Sequence, residues 1–235
     1  MAHAAPLLQP ESPQTARAAD GLLQLRGIDK HWGKRPVLSG LELAVAPGSV
    51  VSITGGNGTG KTTLLRVAAG LVQPDAGTVS VSGLDPVRDR RRYMERLGFL
   101  SAGDRGLYAR LSARRHLHFA ARLALVASGR RNAHVEQALQ TFELAEFADR
   151  RVDRLSTGQR QRVRLAMSLV HHPDVILLDE PMNSLDSEGL GVLSRALGLA
   201  RNRGAAVVWC APEGDGTNLV ADTRLRLAEG RLCPA

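Results

Sequence analysis

The chain has 235 residues, with 31 Lys and Arg against 23 Asp and Glu and a formal charge of +8; that length allows one sizeable α/β core, or a core with a smaller subdomain, acting as one functional unit. Cys210 and Cys233 are the only cysteines, too few for a disulfide framework or a short-spaced metal site, and no apolar run approaches the ~20 residues of a spanning helix. The lysines are Lys30, Lys34 and Lys61 alone; the remaining basic charge is Arg interleaved with acids, which reads as a solvated surface rather than a nucleic-acid footprint.

Residues 1–20 are Ala-rich, carry Pro6, Pro10 and Pro13, and lack the basic-then-apolar order of a signal peptide, so they are expected to form a disordered leader. Alternation predicts strands over Leu22–Arg26 and Leu41–Ala46, a short apolar strand over Val50–Thr54 and a helix over Lys61–Gly70. Thr78–Ser82 and Leu97–Leu100 read as further strands, and Arg88–Arg92 as a solvated helix face. From Ser112 to about Phe147, apolar residues including Leu117, Phe119, Leu123 and Leu125 recur at helical spacing, with a break expected at Gly129. This is a helical insert. Alternation of strand and helix then resumes: helix Ser156–His171, strand Val175–Asp179, helix Ser187–Arg203, strands Ala205–Cys210 and Thr223–Ala228.

Gly55-Gly56-Asn57-Gly58-Thr59-Gly60-Lys61-Thr62 has the phosphate-loop spacing G-x-x-x-x-G-K-[ST] and sits between a buried strand and a helix, where the mechanism needs it. Glycines let backbone N–H groups close around phosphates at the positive end of the helix. Lys61 then bridges β- and γ-phosphates and the Thr62 hydroxyl ligates Mg2+. Val175–Asp179 is apolar enough to be buried on both faces and ends in two acids, Asp179 and Glu180. A carboxylate there can cap the following segment; paired with a phosphate loop, Asp179 is the expected Mg2+ partner and Glu180 the base that polarises water. ATP hydrolysis is the chemistry this set supports.

Leu155-Ser156-Thr157-Gly158-Gln159 opens the helix ahead of that strand, and Asn183-Ser184-Leu185-Asp186 follows the acids. The order of phosphate loop, helical insert, Leu155–Gln159, Val175–Glu180 and Ser184–Asp186 resembles the ATPase subunits of ABC transporters from about Leu22 to Leu232. The resemblance implies an α/β fold: a P-loop NTPase core with a mainly parallel sheet, an antiparallel β subdomain, and a helical subdomain over about 101–160 within a single domain at 21–232. It implies ATP and Mg2+ as ligands, with Lys61 and Glu180 catalytic and Thr62 and Asp179 on the metal. Nucleotide contacts are implied for Trp32, stacking on adenine, and for Gly55, Gly56, Asn57, Gly58, Thr59, Gly60, Lys61, Thr62 and Thr63. Leu155, Ser156, Thr157, Gly158 and Gln159 are implied to act in trans on the nucleotide of a second ATPase subunit, with Thr157 where the family usually has Gly. Ser184, Leu185 and Asp186 are implied to link the two sites, although Ser-Leu-Asp is by itself more often a helix N-cap.

Two positions depart from the family pattern. Ala102 stands where Gln is usual, and Ala211-Pro212-Glu213 where a switch His is usual; no Gln lies between Leu97 and Val135 and no His beyond His172. Binding is therefore expected to persist more fully than turnover, with Asp104 or Glu213 as the candidates for partial compensation, neither of which sequence places near the nucleotide. The stretch Gly98–Ser112 looks like its counterpart in prokaryotic exporters. The resemblance implies a polytopic membrane transport subunit as partner, a homo- or heterodimer of ATPase subunits, and a cytoplasmic location on the inner face of the membrane through that partner; no nucleic acid is expected. A soluble, non-transport ABC-type ATPase and a regulatory subunit with little turnover are the other classes.

Overall fold

The computed structural model of the chain describes residues 21–214 and 219–235; the expected leader at 1–20 lies outside the described residues. The elements run β1 (Leu23–Trp32), β2 (Arg35–Val45), β3 (Val50–Gly55), α1 (Lys61–Ala68), β4 (Ala76–Val81), α2 (Arg90–Glu95), β5 (Leu97–Leu100), α3 (Ala113–Leu123), α4 (Ser128–Thr141), α5 (Thr157–Leu169), β6 (Val175–Asp179), α6 (Ser187–Asn202), β7 (Ala206–Pro212), β8 (Thr223–Ala228) and β9 (Arg231–Pro234), with two short 3-10 turns between α4 and α5. The strands form an antiparallel sheet ordered β2-β1-β4 and a six-stranded sheet ordered β5-β6-β7-β3-β8-β9, parallel except for the β9 edge. This is the expected α/β fold.

The large sheet is covered on both faces, which is why its central strands are apolar throughout. In β6, Ile176 and Leu178 point into one core, with Leu117, Leu139, Val163 and Leu193 from the helices. Val175 and Leu177 point into the other, with Leu64 and Val67 of α1 and Leu25 and Ile28 of the antiparallel sheet. The strand that carries the two acids thus has no solvent-facing side.

Three boundaries differ from the sequence expectation for identifiable reasons. β1 continues past Arg26 to Trp32 because irregularities around Gly27, which has φ +60, shift the register and let pairing with β2 resume. β2 begins at Arg35 rather than Leu41; Pro36 and Gly40 interrupt the alternation, yet Trp32 pairs with Arg35 across the hairpin. The helical insert breaks not at Gly129 but at Leu125. Leu125 takes φ +60, its N–H reaches the Arg122 carbonyl and Val126 N–H the Ala121 carbonyl, so a left-handed residue closes α3 with Leu in place of the usual Gly. Gly129 sits exposed in the first turn of α4. β9, four residues ending at Pro234, carried no sequence signal strong enough to separate it from a loop.

α5 is seated against β5 by a glycine. A methyl group on Gly98 would lie 2.3 Å from the Ser168 carbonyl of α5 and 2.8 Å from a Pro173 ring carbon. Backbone cannot yield there as a flexible side chain would. Gly98→Ala is expected to destabilise the fold by about 1–3 kcal/mol, the usual effect of overpacking, read as a lower thermal midpoint; an unchanged midpoint would contradict this packing.

Candidate functional site

The loop from Gly55 to Gly60 joins β3 to α1 and needs glycine at specific points. Gly58 and Gly60 have φ +76 and +110, outside the range of most side chains. A methyl group on Gly60 would meet a Val37 methyl at 2.8 Å, and one on Gly55 the Leu227 carbonyl at 2.7 Å. The loop is therefore clamped between the two sheets. Lys61, buried at the start of α1, donates to the carbonyls of Gly55 at 2.6 Å and Gly56 at 2.9 Å. Thr59 Oγ1 donates to the Gly56 carbonyl at 3.0 Å, stiffening the same turn.

Thr62 Oγ1 donates to Asp179 Oδ2 at 2.8 Å, so the helix after the loop and the end of β6 meet through two hard oxygen donors. That donor set, a hydroxyl and a carboxylate beside a phosphate-loop lysine, fits Mg2+ rather than a softer ion. Among the described residues no group of three or more His, Cys, Asp or Glu could hold a metal ion. Burial pushes the Asp179 carboxyl above its ordinary value, the Thr62 bond works against that rise, the neighbouring Glu180 charge adds to it, and the N–H of Ala102, donated to Asp179, opposes it.

Glu180 has φ +50, a left-handed conformation that turns the chain sharply after β6. Its Oε2 accepts from Asn183 Nδ2 at 2.7 Å, and the residue lines a cavity of about 280 Å3 with Trp32, Asn57, Lys61, Thr62 and Thr63. Trp32 is 53% exposed at the tip of the β1–β2 hairpin, its ring N–H 3.4 Å from Thr63 Oγ1 and Lys30 Nζ 5.3 Å from the ring centre. The residues expected to contact nucleotide therefore gather at one place.

The signature turn lies apart from this cavity. Ser156 caps α5: its hydroxyl accepts from Gln159 N–H at 3.1 Å, and Gln159 Oε1 accepts from Ser156 N–H at 2.9 Å, a reciprocal box on a turn whose Ser156 and Thr157 are exposed. Thr157 is the first helical residue; its hydroxyl accepts from Arg160 at 3.1 Å while the same guanidinium holds the Leu155 carbonyl at 2.8 Å. A methyl group on Gly158 would lie 3.2 Å from the Ser184 carbonyl, so the signature rests on the turn that follows the acids. Ser184 has φ +67, and Asp186 caps α6 by accepting from Gly189 N–H at 2.8 Å. The plain capping role of Ser-Leu-Asp is thus present, whatever else the turn does.

Glu213 is paired with Arg226 at 2.8 Å, Asp104 is exposed, and neither lines the cavity. Sequence reasoning missed one contact: Arg35, which lines the cavity and donates to the Gly58 carbonyl at 3.4 Å. It depends on a hairpin register, which leaves no motif.

Fold and site define a P-loop nucleotide-binding protein with a second, outward-facing capped helix. Residues 38–183 match the family model described as ABC transporter. The chain is 39% identical over 171 residues to the daunorubicin resistance ATP-binding protein DrrA3 of Streptomyces coeruleorubidus, covering 73% of this chain and 54% of that one. It is 31% identical over 216 residues to the lipoprotein-releasing system ATP-binding protein LolD of Bacteroides thetaiotaomicron, covering 90% and 99%. It is 36% identical over 168 residues to the Fe(3+) ions import ATP-binding protein FbpC of Mannheimia succiniciproducens, covering 72% and 47%. It thus spans about half the length of DrrA3 and FbpC and nearly all of LolD. A solved ATP-binding subunit of an ABC transporter shares the fold with TM-score 0.81 at 22% identity over 90% of this chain and 88% of that one. So does cbiO1 of Clostridium perfringens, described as part of the ABC transporter complex cbiONQ, with TM-score 0.79 at 24% identity over 91% and 87%. The chain belongs to the ABC transporter family and carries its ATP-binding domain. Among the described residues, no helix is long and apolar enough to cross a membrane.

Burial of Asp179 has a measurable consequence. A carboxyl raised above its ordinary value of 3.8 suits the fold best when protonated and disfavours it progressively as pH rises through the elevated value. Asp179→Asn keeps an oxygen for Thr62 and removes the charge. It is expected to raise the thermal midpoint near neutral pH by roughly 2–4 °C, the shift that ~1 kcal/mol makes in a chain of this size, and by less at about pH 4.5. An equal gain at both pH values would refute the burial argument.

Proposed function

We propose that this chain is the ATP-binding subunit of a transporter, coupling ATP binding and hydrolysis to movement of a substrate, by export, through a separate membrane-spanning partner. The observation that carries the reading is the Thr62–Asp179 pair at the foot of the phosphate loop, with Lys61 and Glu180 on the same cavity. In this reading Trp32 stacks on adenine, the amides of Gly55–Thr63 and Lys61 hold the phosphates, and Glu180 polarises the attacking water. Thr62 and Asp179 would hold Mg2+, which when bound would neutralise charge on the transferring phosphoryl group. The outward turn Leu155–Gln159 engages the nucleotide of a second ATPase subunit, and Ser184–Asp186, beside it, connects the two sites.

Export rests on the stretch Gly98–Ser112; names among the relatives point both ways, toward release and toward import. A groove of about 390 Å3 beside that stretch, with Phe99, Leu100, Ala120, Leu123 and Met167 on its walls, supports a contact with an apolar face of the membrane subunit. The methyl group of Ala102 and the ring of Pro212 offer no side-chain hydrogen bond to water or phosphate. That supports slow turnover, and it favours as a second reading a regulatory subunit that binds nucleotide with little hydrolysis.

The test is ATPase measurement on the chain purified with its membrane partner. Glu180→Gln is expected to lower turnover by about 10²–10⁴-fold, the usual share of a general base, while ATP binding persists. A rate unchanged by the substitution would remove Glu180 from the mechanism, and failure of the wild type to bind ATP would overturn the reading as a whole.

A further inference from the structure

Trp32 stands exposed at the tip of the β1–β2 hairpin, so core packing does little to set the plane of its ring. Polar contacts do that instead. Asp75, immediately before β4, takes three donors from the end of β1: Lys30 Nζ at 2.7 Å on Oδ1, and on Oδ2 the His31 N–H at 2.7 Å and the His31 ring Nδ1 at 3.2 Å. The Asp75 N–H donates in turn to the Asp29 carbonyl at 2.8 Å, which fixes the carboxylate to the strand it serves. The Lys30 bond, followed by that of the His31 N–H, holds the Asp75 carboxyl down at about 2, so it is ionised throughout the neutral range. An ionised carboxylate only accepts, and His31 therefore carries its ring proton on Nδ1.

The same Lys30 ammonium lies 5.3 Å from the centre of the Trp32 ring, within the reach of a cation–π contact. The ring N–H is 3.4 Å from Thr63 Oγ1 on α1. The indole is thus tied at its edge to the helix of the phosphate loop and over its plane to a carboxylate from another element. Lys30 is one of three lysines among 31 basic residues, and the geometry explains the choice. A compact ammonium can meet a single carboxylate oxygen and still lie over a ring, whereas the fork of Arg matches both oxygens at once, and Oδ2 is already taken by His31. The Lys30 side chain is 13% exposed and that of Asp75 43%. An ion pair so open to water adds little to stability; its value here is direction.

We propose that Asp75 and Lys30 are positioning residues for the nucleobase: the carboxylate holds the ammonium over one face of Trp32, and the opposite face is presented to adenine in a fixed orientation above the phosphate loop. The pair acts on the base alone. The loop holds the phosphates without it, since neither side chain lines the cavity. The inference rests on the reading that Trp32 stacks on adenine.

The test is affinity for ATP and for inorganic tripolyphosphate, both with Mg2+, measured by titration calorimetry on wild type, Asp75→Asn, Lys30→Met, Trp32→Ala and the double variant Lys30→Met with Trp32→Ala. Asp75→Asn keeps an acceptor for the His31 N–H and drops the charge that holds Lys30. Asp75→Asn and Lys30→Met are each expected to weaken ATP about three- to fivefold, the range of an exposed cation–π contact, and to leave tripolyphosphate unchanged. Trp32→Ala is expected to weaken ATP by about tenfold or more, as loss of a stacked base does, and adding Lys30→Met to it to cost nothing further. Equal weakening of ATP and tripolyphosphate would make the pair a support of the hairpin and overturn the proposal. Losses that add in the double variant would overturn it too, as would wild-type ATP affinity in Lys30→Met while Trp32→Ala is weakened. If Asp75→Asn does not fold, Lys30→Met decides by the same criteria. Wild-type ATP affinity in Trp32→Ala would overturn the stacking reading itself.

Discussion

The arrangement at the cavity depends on a single strand end. β6 is buried on both faces, and its last residue, Asp179, accepts a hydrogen bond from Thr62 at 2.8 Å. A carboxylate 1% exposed is unfavourable unless something holds it, and here a hydroxyl from α1, the helix that follows the phosphate loop, does so. The fold holds the acid, and the acid ties the phosphate loop to the rest of the core.

The six-stranded sheet separates the two cores. The antiparallel sheet clamps the phosphate loop from one side, through Val37 against Gly60, and presents Trp32 above it. The helices on the other side carry the capped turn at Ser156 and Arg164, which donates to the Ser101 carbonyl. Both layers reach the strand ends from opposite faces, and α5 touches Ser101, Pro181 and, at Gly158, the Ser184 carbonyl. The connection is made of contiguous hydrogen bonds and one glycine contact.

Much of this was legible in the sequence, because phosphate loops, doubly buried strands and helix caps are local patterns with fixed spacing. Gly55–Thr62, Val175–Glu180 and Leu155–Gln159 fall on the elements that their spacing predicts. What escaped was contact set by register or by main chain. Arg35 reaches Gly58 only because Trp32 pairs with Arg35. Leu125 ends α3 in a conformation expected of glycine, so the break was assigned to the nearest Gly. Arg164 looked like one more charge on a solvated helix, although it is buried and bonded to three oxygens.

The proposed slow turnover rests on Ala102 and Pro212, neither of which offers the side-chain hydrogen bond that the family resemblance implies at its position. Restoring the implied side chains tests it most directly: Ala102→Gln with Pro212→His, in the chain purified with its membrane partner, followed by turnover at saturating ATP and by ATP affinity. The account predicts that turnover rises about tenfold or more, within the range of positioned acid–base groups, while affinity is unchanged. Turnover that stays the same, or a wild type already working at the ~10 s⁻¹ of an ordinary enzyme, would contradict it.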